Sequence, residues 1–447
     1  MPRMFGTDGV RGIANTDALS PELAFALGRA AAAIAAEKAG RRPLAVIGRD
    51  TRRSGSMLAA ALSAGICSAG GDVVDLFVVT TPAVAFVTKH LNADFGVMIS
   101  ASHNPAPDNG IKFFSGDGFK LPDAAEDQLE ALVRATPDAM PRPTGDQLGS
   151  IRSGADSIEA YIQHVVSTGR SLRGLRVVVD CGHGAAYQLA PEVLQRLGAE
   201  VIALNTSPDG LNINRGCGST HPDELQKMVV VHKADAGIAH DGDADRTIAV
   251  DEKGEMVDGD QIMAICALDL HARGELARDT LVATVMSNMG LDILMRKAGI
   301  KLLKARVGDR YVLEEMQKGG YVLGGEQSGH VIFGDYSTTG DGILTAVQLL
   351  SIVAKGSRPL SELADRMQRL PQWLENVRVP SKEGWDSNPA ITAAIRRAEE
   401  SLGDQGRILV RASGTEPLIR VMLEGPALDA IKAMARQIKE VILAELK

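Results

Sequence analysis

Short apolar runs alternate along the chain with longer stretches in which apolar residues recur at helical spacing. "PLAVIGRD" is followed by "SMLAAALSAGICSAG", then "GDVVDLFVV", "TPAVAFVTKHL" and "ADFGVMIS". Strand-length runs separated by helical patterns predict parallel α/β units. The rhythm returns as "LRVVVDCGHG", "APEVLQRLGA", "EVIALN" and "DELQKMVVVHKA", and again as "DTLVATVMSN", "LDILMRKAG" and "IKLLKARVGDR". From about Leu370 the order changes to strand "NVRVP", helix "PAITAAIRRAEESLG", two strands around "RASGTEP" and a closing helix "ALDAIKAMARQIKEVILAEL". The expected fold class is α/β: three similar modules with mixed sheets, followed by a C-terminal α+β domain.

Polar and Pro/Gly-rich stretches place the seams. "TPDAMPRPTGDQLGS" closes the first module near Ser150, and "DEKGEMVDGD" predicts a hairpin turn and then a helix starting near Gly259. The expected domains are 1–150, 151–256, 257–369 and 370–447. Each of the three modules sends an apolar strand into an unusual polar loop: "GVMISASHNP", "AGIAHDGDADR" and "YVLGGEQSGH". In open α/β sheets the carboxyl ends of strands form the binding crevice, so three such loops can converge on one cleft.

Composition narrows the chemistry. Of 447 residues, 45% are hydrophobic and only 4% aromatic, while alanine and glycine are plentiful. That suits aliphatic cores and close helix packing rather than aromatic platforms for single-stranded nucleic acid. The net charge of -8 also argues against nucleic acid. Cys67, Cys181, Cys217 and Cys266 form no Cys-x-x-Cys pair, so neither a zinc site nor a disulfide framework is expected, and the thiols read as reduced and cytoplasmic. Neither an export signal nor a membrane span is expected.

In "DGDADR", Asp241, Asp243 and Asp245 stand at alternate positions. Carboxylates gathered this closely repel unless a cation joins them, and hard divalent cations prefer oxygen ligands. A calcium loop of EF-hand type fails, because Arg246 occupies the position that needs glycine and "TIAVD" continues as a strand. In "RASGTEPLIR", Ser413, Gly414 and Thr415 offer amides and hydroxyls to an anion between Arg411 and Arg420. In "GGEQSGH", Glu326 and Ser328 can face sugar hydroxyls, with His330 two residues on. Arg11 and Arg49 sit in glycine-rich turns, and Lys112 lies on the strand after Ser102 and His103. An acidic chain has thus put cations inside glycine-rich loops, where they point at something anionic.

"SASHNP", "DGDADR", "GEQSGH" and "RASGTEP", in this order and one per module, resemble the α-D-phosphohexomutase superfamily over essentially the whole chain. "FGTDGVRG" and the glutamine of "GEQSGH" resemble the branch acting on glucosamine phosphates; methionine is usual there in enzymes of unsubstituted hexoses. The resemblance implies a heart-shaped, four-domain mutase. Ser102 would be a phosphoserine, with Asp241, Asp243, Asp245 and a Ser102 phosphoryl oxygen holding Mg²⁺. Lys112, Arg246 and His103 would be the cations around the transferred group. Residues 326–330 would read the sugar, and the Ser413 loop would hold the other phosphate, with the fourth domain hinging over the cleft. The implied reaction interconverts glucosamine 6-phosphate and glucosamine 1-phosphate through glucosamine 1,6-bisphosphate, supplying UDP-N-acetylglucosamine and cell-wall precursors. A homodimer is implied too. The rivals are a mutase of unsubstituted hexose phosphates, a metal-dependent sugar phosphatase and a non-catalytic sugar-phosphate binder.

Overall fold

The computed structural model describes residues 3–6, 8–135, 138, 140–356, 358–413 and 416–446. The chain folds as two compact units: Met1–Met286 with Ile300–Asp365, and Ser287–Gly299 with Arg366–Lys447.

The first unit carries three mixed sheets. One has six strands in the order Val10–Ile13, Asp108–Ser115, Phe95–Ile99, Leu44–Arg49, Asp72–Val78, Ile151–Ser153. Another has five, Met256–Val257, Thr247–Asp251, Ala236–His240, Arg176–Asp180, Glu200–Leu204, and the last has four, Lys301–Ala305, Thr280–Thr284, Leu323–Gly325, Val331–Phe333. Strands Phe95–Ile99, Ala236–His240 and Thr280–Thr284 are buried at every residue, which is why they read as unbroken apolar runs rather than alternating ones.

The three sheets share one device. A strand that pairs in parallel on its inner side is followed by a loop and an antiparallel return strand. Phe95–Ile99 returns as Asp108–Ser115, Ala236–His240 as Thr247–Asp251, and Leu323–Gly325 as Val331–Phe333. The polar loops singled out in the sequence are these connections, each leaving the carboxyl end of its strand.

Abundant alanine and glycine serve close helix packing. Helix Pro21–Ala39 starts at Ser20, whose side chain accepts from the Leu23 amide, and ends at Gly40 in the left-handed region. It packs on Arg53–Ser68 through Gly28 and Gly65. A Cβ on Gly28 would stand 2.3 Å from the Leu62 carbonyl, and one on Gly65 2.1 Å from that of Phe25. Only bare backbone permits this approach.

The second unit is a three-stranded antiparallel sheet, Gln372–Arg378, Leu418–Glu424, Arg407–Ala412, backed by helices Pro389–Leu402 and Leu428–Glu445. Two elements reach across the expected seams. Ile151–Ser153 joins the first sheet in parallel, with Ile151 opposite Val73, so that sheet runs past residue 150. Helix Met289–Lys297, expected in the third module, groups with the C-terminal unit. There the Met289 amide donates to Glu424 Oε2 (2.9 Å) and Gly290 lets the backbone of Gln368 approach. No helix among the described residues is long and apolar enough to cross a membrane. All four cysteines are free.

Candidate active site

Ser102 sits at the break between a buried strand and its return strand, 1% exposed and with a φ of 52°, a left-handed conformation that a serine rarely adopts. Strain of this kind persists only where the surroundings enforce it, and it clusters at functional sites. The conformation aims Oγ away from its own strand. Oγ donates to Asp241 Oδ2 at 2.6 Å and lies 3.3 Å from His103 Nδ1.

Asp241, Asp243 and Asp245 are buried, and each offers an oxygen within 4.8 Å of the others. Burial, together with the Asp245 and Asp243 charges, pushes the Asp241 carboxyl well above the usual carboxylate range. Burial acts on Asp245 in the same sense, but Lys112 and His330 outweigh it and hold that carboxyl far below its usual value. Asp243 Oδ2 accepts from Thr81 Oγ1 (2.6 Å) and Lys112 Nζ (2.9 Å). Oδ1 of Asp243 and Oδ1 of Asp245 are buried without a hydrogen-bond partner. Crowded hard donors with unpartnered oxygens fit a divalent cation that prefers oxygen ligands. Glu252, the would-be twelfth position of a calcium loop, instead accepts from the Ser361 amide at 3.1 Å.

Cations knit the three loops together. Lys112 is fully enclosed and reaches Asp243 at 2.9 Å, Asp8 at 3.1 Å and Asp245 at 3.7 Å; against the cost of burial, these carboxylates raise its pKa and keep it charged. Lys120 bridges Asp8 (2.5 Å) and Asp309. His330 lies 3.7 Å from Asp245 and 3.6 Å from Asp309; burial disfavours its charge, but the two carboxylates prevail and raise its pKa. His103 goes the other way. Burial first, then Arg246 and Arg11, lower its pKa, which favours the neutral ring.

A cavity of about 500 Å³ opens beside this network, lined by Arg11, Arg246, Lys120, Asp309, Glu326 and His330 among others. That volume suits a small polar molecule. Glu326 Oε1 accepts from the Gly308 amide at 3.0 Å, and Ser328 is exposed on the same loop. Asp8, Thr81, Lys120 and Asp309 were not singled out in the sequence. Their only signal was being charged or hydroxylated residues near loops, which most such residues share. Arg49 is not brought to the cavity. It pairs with Asp75 at 3.0 Å and stacks over Phe77, beside a register shift between Ile47 and Arg49.

In the C-terminal unit, Arg411 stands directly opposite Arg420 on paired strands. Like charges so placed are destabilising, and Arg420 Nη2 lies 3.5 Å from Glu416 Oε2. The Arg420 Nε is buried without a partner. Ser413 Oγ accepts from the Glu416 amide at 3.3 Å, and Lys382, a cation the sequence reading missed, donates to the Ser413 carbonyl at 2.6 Å. Gly414 and Thr415 lie outside the described residues.

The chain is similar to known proteins. The chain matches the family Phosphoglucomutase/phosphomannomutase as alpha/beta/alpha domain I over residues 2–139, domain II over 159–254, domain III over 258–370 and the C-terminal domain over 374–441. A phosphoglucosamine mutase of Symbiobacterium thermophilum is 76% identical over 447 residues, covering 100% of both chains. A phosphoglucomutase/phosphomannomutase family protein from Burkholderia thailandensis superposes with a TM-score of 0.81 at 24% identity, covering 99% of this chain and 97% of that one. Aspergillus fumigatus N-acetylphosphoglucosamine mutase, solved with GlcNAc-6P and magnesium, gives 0.69 at 18% identity, covering 99% and 96%. These two structural likenesses carry the fold alone.

Proposed function

Because the chain belongs to the phosphoglucomutase/phosphomannomutase family, we propose that its reaction is that of its 76% identical relative, the interconversion of glucosamine 6-phosphate and glucosamine 1-phosphate. The enzyme is an isomerase that works by phosphoryl transfer. The observation that carries the mechanism is Ser102 Oγ, 2.6 Å from an oxygen of the buried Asp241–Asp243–Asp245 cluster.

Ser102 carries the phosphoryl group. In the first half-reaction the bond between Oγ and phosphorus breaks as one forms to the free hydroxyl oxygen of the sugar phosphate; that hydroxyl loses its proton and the released Oγ gains one, giving glucosamine 1,6-bisphosphate. In the second, Oγ gives up its proton and bonds to the other phosphorus as that phosphorus parts from its sugar oxygen, which takes up a proton and leaves as the free hydroxyl of the isomeric glucosamine phosphate. Asp241, Asp243 and Asp245 would hold Mg²⁺, which would neutralise charge on the phosphoryl oxygens. Lys112 and Arg246 hold fixed positive charge at the same place, Arg11 presents its own to the cavity, and His330 lines it. Glu326 offers its remaining oxygen to sugar hydroxyls or the ammonium group, with Ser328 beside it. Positioning and charge neutralisation supply most of what this chemistry needs.

Assays with glucosamine, glucose and mannose 6-phosphates side by side test the reading. The expected result is the highest kcat/KM for glucosamine 6-phosphate with little inorganic phosphate released. Preference for glucose or mannose 6-phosphate would make it a mutase of unsubstituted hexoses, and phosphate released on every turnover would make it a phosphatase.

Arg411, Arg420 and Ser413 are assigned to the phosphate that is not being transferred. Arg420→Lys keeps the charge but loses the planar fork that grips two oxygens at once. A charge-assisted hydrogen bond is worth about 1.5–3 kcal/mol, so kcat/KM should fall by roughly one to two powers of ten. Thermal stability should hardly move. Full activity, or a loss that tracks unfolding, would remove Arg420 from the phosphate site.

A further inference from the structure

We infer that Arg52 and Asn214 are positioning residues that lock the backbone of the Ser102 loop, so that Oγ is the same fixed point in both half-reactions; this rests on reading Ser102 as the phosphoryl carrier. Arg52 is 2% exposed and spends its guanidinium on the loop. Its Nη2 donates to the carbonyls of Ser102 (3.0 Å) and Asn104 (2.8 Å). Its Nη1 donates to those of Pro105 and Asp108, and Nε to Asp50 Oδ2 at 2.8 Å. All five N–H donors of the fork are thereby engaged, four of them on one loop and the first residue of its return strand.

The ring closes through Asp50. Its Oδ2 also accepts from Ser100 Oγ (2.6 Å), and that oxygen accepts from the Ser102 amide (2.9 Å). Asn214, from the segment after strand Glu200–Leu204, holds the loop a second time: its Nδ2 donates to the carbonyls of Ser102 (2.9 Å) and Asn104 (3.1 Å). Gly242, on the carboxylate loop, lies so close that a Cβ there would be 2.5 Å from the Ser102 carbonyl. The clamp thus grips the serine by its backbone while leaving Oγ to Asp241.

The need for it follows from the reaction. The bisphosphate must turn over between two transfers, so one partner moves and the other has to stay. Ser102 is strained in the left-handed region, and an unheld loop would relax and swing Oγ off the line of transfer. A misplacement near 1 Å can cost about 100-fold in rate. Neither Arg52 nor Asn214 lines the substrate cavity, so the loss belongs in kcat and not in KM.

The test compares Arg52→Lys and Asn214→Ala with the parent enzyme for kcat, KM, melting temperature and the single-turnover rate at which a sugar bisphosphate phosphorylates the protein. Lysine cannot reproduce the fork, so kcat should fall about 10- to 100-fold with KM within about twofold. Asn214→Ala removes the second grip, at a position whose φ of 57° alanine adopts less readily than asparagine, and should lose about 3- to 10-fold in the same way. In both, the single-turnover rate should fall in step with kcat. If Arg52→Lys fails to fold, Asn214→Ala decides. A lowered melting temperature with kcat and single-turnover rate unchanged, or a loss confined to KM, would overturn the inference. Absence of phosphoryl transfer to Ser102 in the parent enzyme would instead overturn the reading of Ser102 on which it rests.

Discussion

Ser102→Ala should bring turnover to the assay floor, a fall on the order of 10⁴-fold or more, as expected when the group that forms the covalent intermediate is removed. Intact-protein mass should show one additional phosphoryl group on the parent enzyme and none on the variant. Calorimetric titration with glucosamine 6-phosphate should still show binding, because Arg11, Arg246, Glu326 and His330 line the cavity independently of Oγ. Near-normal mutase activity in the variant, or an unchanged extra mass, would sink Ser102 as the phosphoryl carrier.

Asp243→Asn should have the second largest effect. The native side chain gives one oxygen to Thr81 and Lys112 and keeps the other buried and unpartnered. Asparagine has a single oxygen, so it can satisfy the donors or the cation but not both, and one anionic ligand of three is lost. Transition-state charge stabilisation by a bound metal is worth several kcal/mol, so kcat/KM at limiting Mg²⁺ should fall about 100- to 1000-fold. The Mg²⁺ concentration for half-maximal activity should rise, with partial recovery in excess. A second measurement avoids activity altogether: Mg²⁺ should raise the melting temperature of the parent protein by mass action, and that gain should shrink in the variant. An unchanged Mg²⁺ dependence in both measurements would remove the carboxylate cluster as the metal site.

Much of the site was legible because its parts are local. An unbroken apolar run that ends in Ser-His-Asn-Pro, or in three aspartates at alternate positions, needs no tertiary information to stand out from the strands around it. Arg49 shows the limit of that reasoning. It shares a glycine-containing stretch with Arg52, and sequence offers no ground for preferring one. The register shift beside Arg49 pairs it with Asp75, while Arg52 at the start of helix Arg53–Ser68 is buried under the serine loop. His103 shows another. Its charge state depends on burial and on Arg246 and Arg11, the first of them 143 positions away along the chain.

Taken alone, the sequence determined the succession of α/β modules, the position of each polar loop at the end of a buried strand and the donor chemistry of the carboxylates, since periodicity and residue type act over a few neighbours. Tertiary structure alone decided which charges meet. Asp8, Lys112, Lys120, Asp243, Asp309 and His330 come from distant segments and become one network only when the first unit folds. It also decided the left-handed turn at Ser102, which local preference opposes and which the hydrogen bonds of Arg52 and Asn214 maintain. Charge pairing and enforced strain depend on distance in space and on exclusion of water, and neither quantity is carried by the order of residues along the chain.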